Sequence, residues 1–213
     1  MSDKKPTSKS NATDSREALL QAAVQVFAEK GFAGATVKDL ADEAGVNVSL
    51  VSYHFGGKEG LYRSCLEGFA SERLESTERI LSAPTSKEDF RVRLKLFAEE
   101  MVDIFQRNRH TCKIVNRGID SLDPVTLEIF KSVFYRVFGA LHGFVESAQR
   151  SGFVRQDCDT EISTIFMFGG LMHINRSQDL ARALGKRTLD EPVYKTQAID
   201  QWVRNNTEGI FTP

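Results

Sequence analysis

Apolar side chains recur along this chain at intervals of three and four, and no stretch shows the twofold alternation of a half-buried strand. Leu20, Ala23, Val24 and Phe27 predict a first helix over about 15–30, with Asp14 as N-cap, Glu17 three residues on and Gly31 as its stop. Two very short helices follow with almost no linker. Thr36 and Asp39 form a capping box, Val37, Leu40, Ala41 and Ala44 make one apolar stripe, and Gly45 ends it. After Asn47, a second N-cap, the next short helix turns Val51 and Phe55 inward and presents Val48, Ser49, Ser52, Tyr53 and His54 on its other side. A further helix begins after Gly56-Gly57, buries Leu61, Leu66 and Phe69, and runs to about Leu81.

Longer periodic segments fill the remainder. Ser86 and Asp89 cap a helix carrying Leu94, Phe97, Met101 and Phe105, and a shorter one covers about 110–120. Asp123-Pro124 opens the longest segment, in which Phe130, Val133, Phe134, Val137, Phe138, Leu141, Phe144, Val145 and Ala148 recur up to the stop at Gly152. Helices at about 159–183 and 194–209 complete the chain. The fold class is all-α, about nine helices: a flexible polar arm at 1–13, a three-helix headpiece at 14–63, and a larger helical bundle at 64–213.

Composition narrows the setting. Hydrophobic residues make up 41% of the 213 and charged residues 27%, which describes an ordinary folded chain. The balance of 28 Lys+Arg against 29 Asp+Glu excludes a polycationic coat for nucleic acid. Cys65, Cys112 and Cys158 are odd in number and widely spaced, so they offer neither a disulfide framework nor a C-x-x-C pair, and a reducing cytoplasm suits them. The polar N-terminus lacks a signal peptide's apolar stretch. The longest apolar-rich run, 162–175, falls short of a membrane helix, so no membrane partner is expected.

Two helices of about two turns joined through a glycine have the sequence shape of a helix-turn-helix. Its first helix braces the DNA backbone and its second enters the major groove, which requires small or polar residues outside and apolar anchors inside. Val48, Ser49 and Ser52 against Val51 and Phe55 meet that requirement. The stretch from Phe27 to Tyr62, with Gly31-Phe32, Thr36, Leu40-Ala41, Ala44-Gly45-Val46 and Tyr53-His54-Phe55-Gly56-Gly57-Lys58-Glu59-Gly60-Leu61-Tyr62, closely resembles the DNA-binding headpiece of TetR-family transcriptional regulators.

That resemblance implies a dimeric, ligand-responsive regulator, a repressor released from a palindromic operator by a small-molecule effector. It implies a phosphate contact at Thr36, joined by Lys38 in the same first turn, backbone and base-edge contacts at Tyr53 and His54, and a phosphate contact at Lys58. Val48, Ser49 and Ser52 fall where base-reading residues lie. Asn47 stands where serine is common, and Gly57 where serine or asparagine is common, which bears on operator sequence.

In the body, Phe130, Phe134 and Phe138 are spaced by four and so share a helix face. That stripe suits either a packed bundle core or an apolar effector pocket lined by Phe97, Met101, Phe105, Phe134, Phe138, Phe166 and Met167. Gly169-Gly170, with Trp202 and Val203, fits either a two-fold dimer interface or burial within the monomer. His110, Cys112, His142 and His173 are too scattered for a metal site, and no cofactor motif occurs. Two other functions remain open: a ligand-binding or scaffold protein that has lost DNA recognition, for which the acidic Asp39, Asp42 and Glu43 beside the motif speak, and an all-α enzyme, against which the absence of any catalytic motif speaks. Residues 1–63 carry eight basic and eight acidic groups, so what positive bias exists lies in Lys4, Lys5 and Lys9 of the arm.

Overall fold

The computed structural model describes residues 8–212, with side chains described outside 8–12, 69–73 and 133–134. In chain order the helices are α1 (Ser8–Gly34), α2 (Val37–Ala44), α3 (Ser49–Phe55), α4 (Lys58–Ile80), α5 (Lys87–Arg107), α6 (Arg109–Asp120), α7 (Pro124–Ile129), α8 (Tyr135–Arg150), α9 (Thr160–Arg176), α10 (Gln178–Ala183) and α11 (Pro192–Thr207), with a π-helical turn at Phe130–Phe134 between α7 and α8. Among the described residues the only β pairing is an isolated antiparallel bridge between Val154 and Phe211, so the all-α expectation holds.

Three boundaries differ from the sequence expectation. The helix expected to start at Asp14 already runs from Ser8, because the residues between include neither proline nor glycine and nothing there stops it. The part of the expected arm at 1–7 lies outside the described residues. The long segment from Asp123 is interrupted by the π turn, which inserts a residue into the helical register. The even spacing of Phe130, Phe134 and Phe138 therefore does not run along one uniform α-helix. The expected helix at 159–183 is two helices meeting at Ser177, where side chains take the last carbonyls of α9: Ser177 Oγ and Gln178 Nε2 both donate to the Ile174 carbonyl, and Asn175 Nδ2 donates to that of Leu171.

The chain divides into two compact units. The first comprises residues up to Glu72 together with Arg109–Val133. Its core is Leu19, Ala23, Phe27, Leu40, Ala41, Val51, Leu61, Tyr62 and Leu66, all buried. The Tyr62 ring meets Phe27 edge-on at 5.0 Å and Phe32 at 4.8 Å. This unit is larger than the headpiece expected at 14–63, because α6 and α7 pack into it. Arg117 donates to the Glu29 carbonyl at 3.0 Å, and the buried Tyr62 and Thr126 hydroxyls share a 2.7 Å hydrogen bond. Arg63 pairs with Glu128 at 3.0 Å. Gly118 permits the α6–α7 corner, since a Cβ there would lie 2.2 Å from Thr126 Oγ1.

The second unit comprises Arg73–Asn108 and Phe134 onward. Phe90 and Phe144 stack at 4.5 Å, and Phe211 meets Phe90 edge-on. Leu94, Phe97, Ala98, Leu141, Val145 and Ala148 are buried with them. Polar ties join α5 to α11: Lys95 to Asp200 at 2.7 Å, and Lys195 to both Asp103 and Gln106. Trp202 Nε1 donates to the Met167 carbonyl and its ring lies beside Gly170, while Val203 is buried. Trp202, Val203 and Gly170 thus serve packing within this unit.

Truncating Phe144 would leave a cavity beneath the Phe90 ring in addition to the lost apolar burial. We expect Phe144→Ala to lower stability by about 3–5 kcal/mol, read from urea unfolding midpoints.

Candidate nucleic-acid interface

Local chemistry at the two short helices is dense enough to fix their ends. Thr36 Oγ1 accepts from the Asp39 amide at 3.0 Å while Asp39 Oδ2 accepts from the Thr36 amide at 2.9 Å, completing the capping box. Asp39 also pairs with Lys30 at 2.8 Å. The Lys30 ammonium, with the Thr36 donors, lowers the Asp39 carboxyl to about 2. At the other end Gly45 adopts φ 65°, and its amide and that of Val46 reach back to the carbonyls of α2, the left-handed stop that glycine supplies without strain.

The residue flanking the start of α3 is Val48 rather than the expected Asn47, but Asn47 still closes the turn into the helix: its Oδ1 accepts from both the amide and the hydroxyl of Ser49 at 2.9 and 2.8 Å. Val51 is fully buried beneath it, while Ser49 and Ser52 are exposed, Val48 is 49% exposed and Tyr53 76%. Positions 48, 49, 52 and 53 lie on one helix face, so α3 presents a solvent-facing surface about two turns long. Gly56 ends it at φ 71°. The start of α4 passes so close beneath that a Cβ on Gly60 would stand 1.8 Å from the Phe55 carbonyl oxygen. Glycine at position 60 is therefore a requirement of the α3–α4 angle.

Three expected residues are tied inward. His54 is half-buried, and its Nε2 lies 2.9 Å from Ser15 Oγ on α1. Phe55, expected wholly in the core, is half-buried with the Arg16 guanidinium 5.2 Å from its ring centroid. Lys58 Nζ donates to the carbonyls of Phe32 and Ala35, each at 2.9 Å. Thr36 and Lys38 are exposed at the start of α2.

A model of the bacterial regulatory proteins of the tetR family matches residues 19–65. The headpiece is a tetR-family domain. The chain is 28% identical over 127 residues to the uncharacterized HTH-type transcriptional regulator YerO of Bacillus subtilis, covering 58% of this chain and 42% of that protein. Its match thus spans less than half the length of that relative. It is 26% identical over 153 residues to the HTH-type transcriptional repressor KstR2 of Rhodococcus jostii, covering 71% of this chain and 74% of that one. Among solved structures, the ketosteroid transcriptional regulator KstR2 of Mycobacterium tuberculosis superposes with a TM-score of 0.71 at 21% identity, covering 93% of this chain and 95% of that one, which shows a shared fold.

Within the tetR-family domain, reading along the sequence located the exposed face of α3 and the capping box correctly. Ser15, Arg16 and Lys30 emerged only from the fold, since each acts on a partner distant in sequence, and Gly60 of the quoted motif gained its steric role there. The expected effector residues are spread unevenly over the second unit. Phe97, Met101, Phe105 and Met167 are buried, and Phe138 is half-buried against Phe168 at 6.0 Å. Phe166 is 72% exposed and so does not line an interior pocket: the inward face of α9 is set by Thr164, Met167 and Leu171, which turns position 166 outward. Phe134 lies outside the described side chains. Among the described residues no three His, Cys, Asp or Glu converge as metal ligands.

Folded Asp39 keeps its charge to lower pH than an unfolded aspartate, near 4, does. Its contribution is complete above pH 4 and disappears as the pH falls towards 2. We expect Asp39→Asn to melt below wild type at pH 7 and the two melting curves to converge by pH 2, monitored by circular dichroism.

Proposed function

We propose that this protein is a transcriptional regulator, a ligand-responsive repressor that binds a palindromic operator as a homodimer in the cytoplasm. The observation that carries the reading is α3: seven residues anchored by buried Val51, entered through the Asn47–Ser49 hydrogen bonds and stopped at Gly56, with Val48, Ser49, Ser52 and Tyr53 facing solvent. Short side chains let a helix approach base edges closely, and Tyr53 offers a hydroxyl to a phosphate or base edge. Thr36 uses its oxygen as an acceptor within the capping box, which leaves its hydroxyl proton for a phosphate at the N-terminus of α2. Lys38 and His54 flank these groups.

The name of the R. jostii relative, a repressor, supports the direction of regulation. The name of the M. tuberculosis structure, a ketosteroid regulator, together with buried Phe97, Met101, Phe105 and Met167, supports an apolar effector of steroid or similar bulk. Both are carried over from relatives and stand as part of this proposal. Among the described residues no helix is long and apolar enough to cross a membrane.

A second copy supplies the two-fold symmetry of the operator. The surface best suited to it is the outer face of α9, where Ile162 and Ile165 are each 53% exposed and Phe166 72%, with exposed Gly169 one turn on. Large apolar groups at helical spacing on one exposed stripe mark an association surface.

Selection from random duplex DNA with the full-length protein tests the reading. We expect two inverted half-sites with centres one helical turn apart, and at least a tenfold loss of affinity for Tyr53→Ala at unchanged melting temperature. Selected pools without half-site preference would refute it. Phe166→Glu is expected to give a monomer by sedimentation with its helical content intact; a dimer unaffected by that change would remove α9 from the interface.

A further inference from the structure

We propose that the Thr77 hydroxyl is the polar anchor of the effector site, and that the effector brings it an uncharged carbonyl or hydroxyl oxygen in an otherwise apolar enclosure. This rests on the effector-responsive reading above and deepens it by naming one residue and the chemistry it selects.

Thr77 lies on α4 within the second unit, 1% exposed, on the face it shares with buried Leu74 and Leu81. Two ties place this stretch of α4 beside α5 and α8. Glu78 pairs with Arg136 of α8 at 3.0 Å, and the Ile80 carbonyl accepts from Arg93 of α5 at 3.1 Å. The Thr77 hydroxyl has no hydrogen-bond partner, and among the described residues it is the one buried side-chain polar group in that condition. A buried helical threonine ordinarily avoids this by donating to the carbonyl one turn earlier. Thr164 does so to Thr160 at 2.7 Å, and Thr207 to Val203 at 2.9 Å. Thr77 does not, so its donor and acceptor capacity is left over in the interior of the unit, at a cost in stability. A trapped water does not answer that need, since it requires about two to four polar partners and the neighbours on this face of α4 are leucines.

The surroundings limit what the missing partner can be. In this unit the described buried polar side chains are all threonines, with no charged group or imidazole among them. The two arginines beside α4 are each paired with a carboxylate, Arg93 with Asp89 and Arg136 with Glu78. A carboxylate or phosphate brought to Thr77 would meet a hydroxyl but no opposite charge, and its desolvation would cost far more than one hydrogen bond recovers. An uncharged carbonyl oxygen accepts from the Thr77 hydroxyl, and a ligand hydroxyl can donate to it or accept from it. Room for apolar bulk comes from Met101 of α5 and Met167 of α9, both buried, on two helices that pack together. Unbranched thioether side chains repack around a guest at small cost. The enclosure therefore selects for apolar bulk and for one neutral oxygen at a fixed place.

Isosteric replacement separates a ligand anchor from a structural hydroxyl. Thr77→Val keeps the shape and removes the hydroxyl, whereas Thr77→Ser keeps the hydroxyl. In the ligand-free full-length protein, Thr77→Val is expected to melt about 2–4 °C above wild type, because it removes an unpaired polar group. Binding is read from the fluorescence of Trp202, the chain's single tryptophan, whose Nε1 donates to the Met167 carbonyl. The probes are androstane with androstanone, and dodecane with dodecanone and dodecanoate, delivered from cyclodextrin. For each skeleton that binds wild type or Thr77→Ser, the ketone is expected to bind roughly tenfold tighter than the hydrocarbon, with dodecanoate weaker than dodecanone. In Thr77→Val the advantage of the ketone is expected to disappear. Thr77→Val melting below wild type, a ketone preference that survives Thr77→Val, or dodecanoate binding tighter than dodecanone would each overturn the inference. Wild type that binds none of these probes overturns the apolar-effector reading instead.

Discussion

A helix of seven residues makes too few internal hydrogen bonds to hold its shape in water, and one of eight is little better. α2 and α3 therefore take their structure from what grips them. Val51 and Leu40 anchor the pair from below, the Thr36–Asp39 and Asn47–Ser49 contacts close their N-termini, and glycines at 45 and 56 close the other ends. The external grip comes from α4, through the Lys58 hydrogen bonds to the Phe32 and Ala35 carbonyls and the contact at Gly60, and from α1, through Ser15 and Arg16. The exposed face of α3 can be given over to small side chains because none of them is needed to hold the helix in place.

This dependence explains which features were legible in the sequence. A capping box, an N-cap and a glycine stop act across three or four residues, so Thr36, Asp39, Asn47, Gly45 and Gly56 declared themselves, and the helix positions followed. Partners brought together by folding left no such trace. Lys58 looks like an ordinary first-turn cation until α1 is seen to break at Gly31 and present two carbonyls to it. His54 looks like an outward residue until α1 is seen to pack with Ser15 beside it. The same limit applies in the second unit. Phe166 and Met167 are adjacent in an apolar run with no polar face to orient it, and only the packing of α9 shows which of the two points inward. The π turn at 130–134 is likewise invisible to a spacing argument that assumes one period throughout.

Packing also redraws the extent of the unit that carries the two short helices. α6 and α7 are separated from the motif by more than thirty residues of chain, yet Arg117 reaches the Glu29 carbonyl, Tyr62 shares a hydroxyl bond with Thr126, and Arg63 pairs with Glu128. The buried hydroxyl pair matters most of these three, since losing either partner leaves the other unsatisfied away from water, whereas exposed ion pairs contribute little. The α6–α7 corner is in this sense part of the machinery that holds α3, and Gly118 is what allows it to close.

The near-neutral charge of the chain takes on a definite meaning once the basic residues of the headpiece are located. Lys30 is paired with Asp39, Arg63 with Glu128, Lys58 donates to two carbonyls, and Arg16 lies over Phe55. Most of the described positive charge of this unit is committed to holding it together, and Lys38 is exposed at the α2 N-terminus. A surface built this way has little to offer an arbitrary stretch of phosphates, because non-specific affinity scales with the number of phosphates neutralised. On the proposed reading, attraction to DNA comes from helix-terminal amides, hydroxyls at Thr36, Ser49, Ser52 and Tyr53, and the doubling that a second copy would supply. Contacts of that kind require correct geometry at every point, so on the proposed reading the rigidity that consumes the lysines is also what lets the remaining neutral contacts serve recognition.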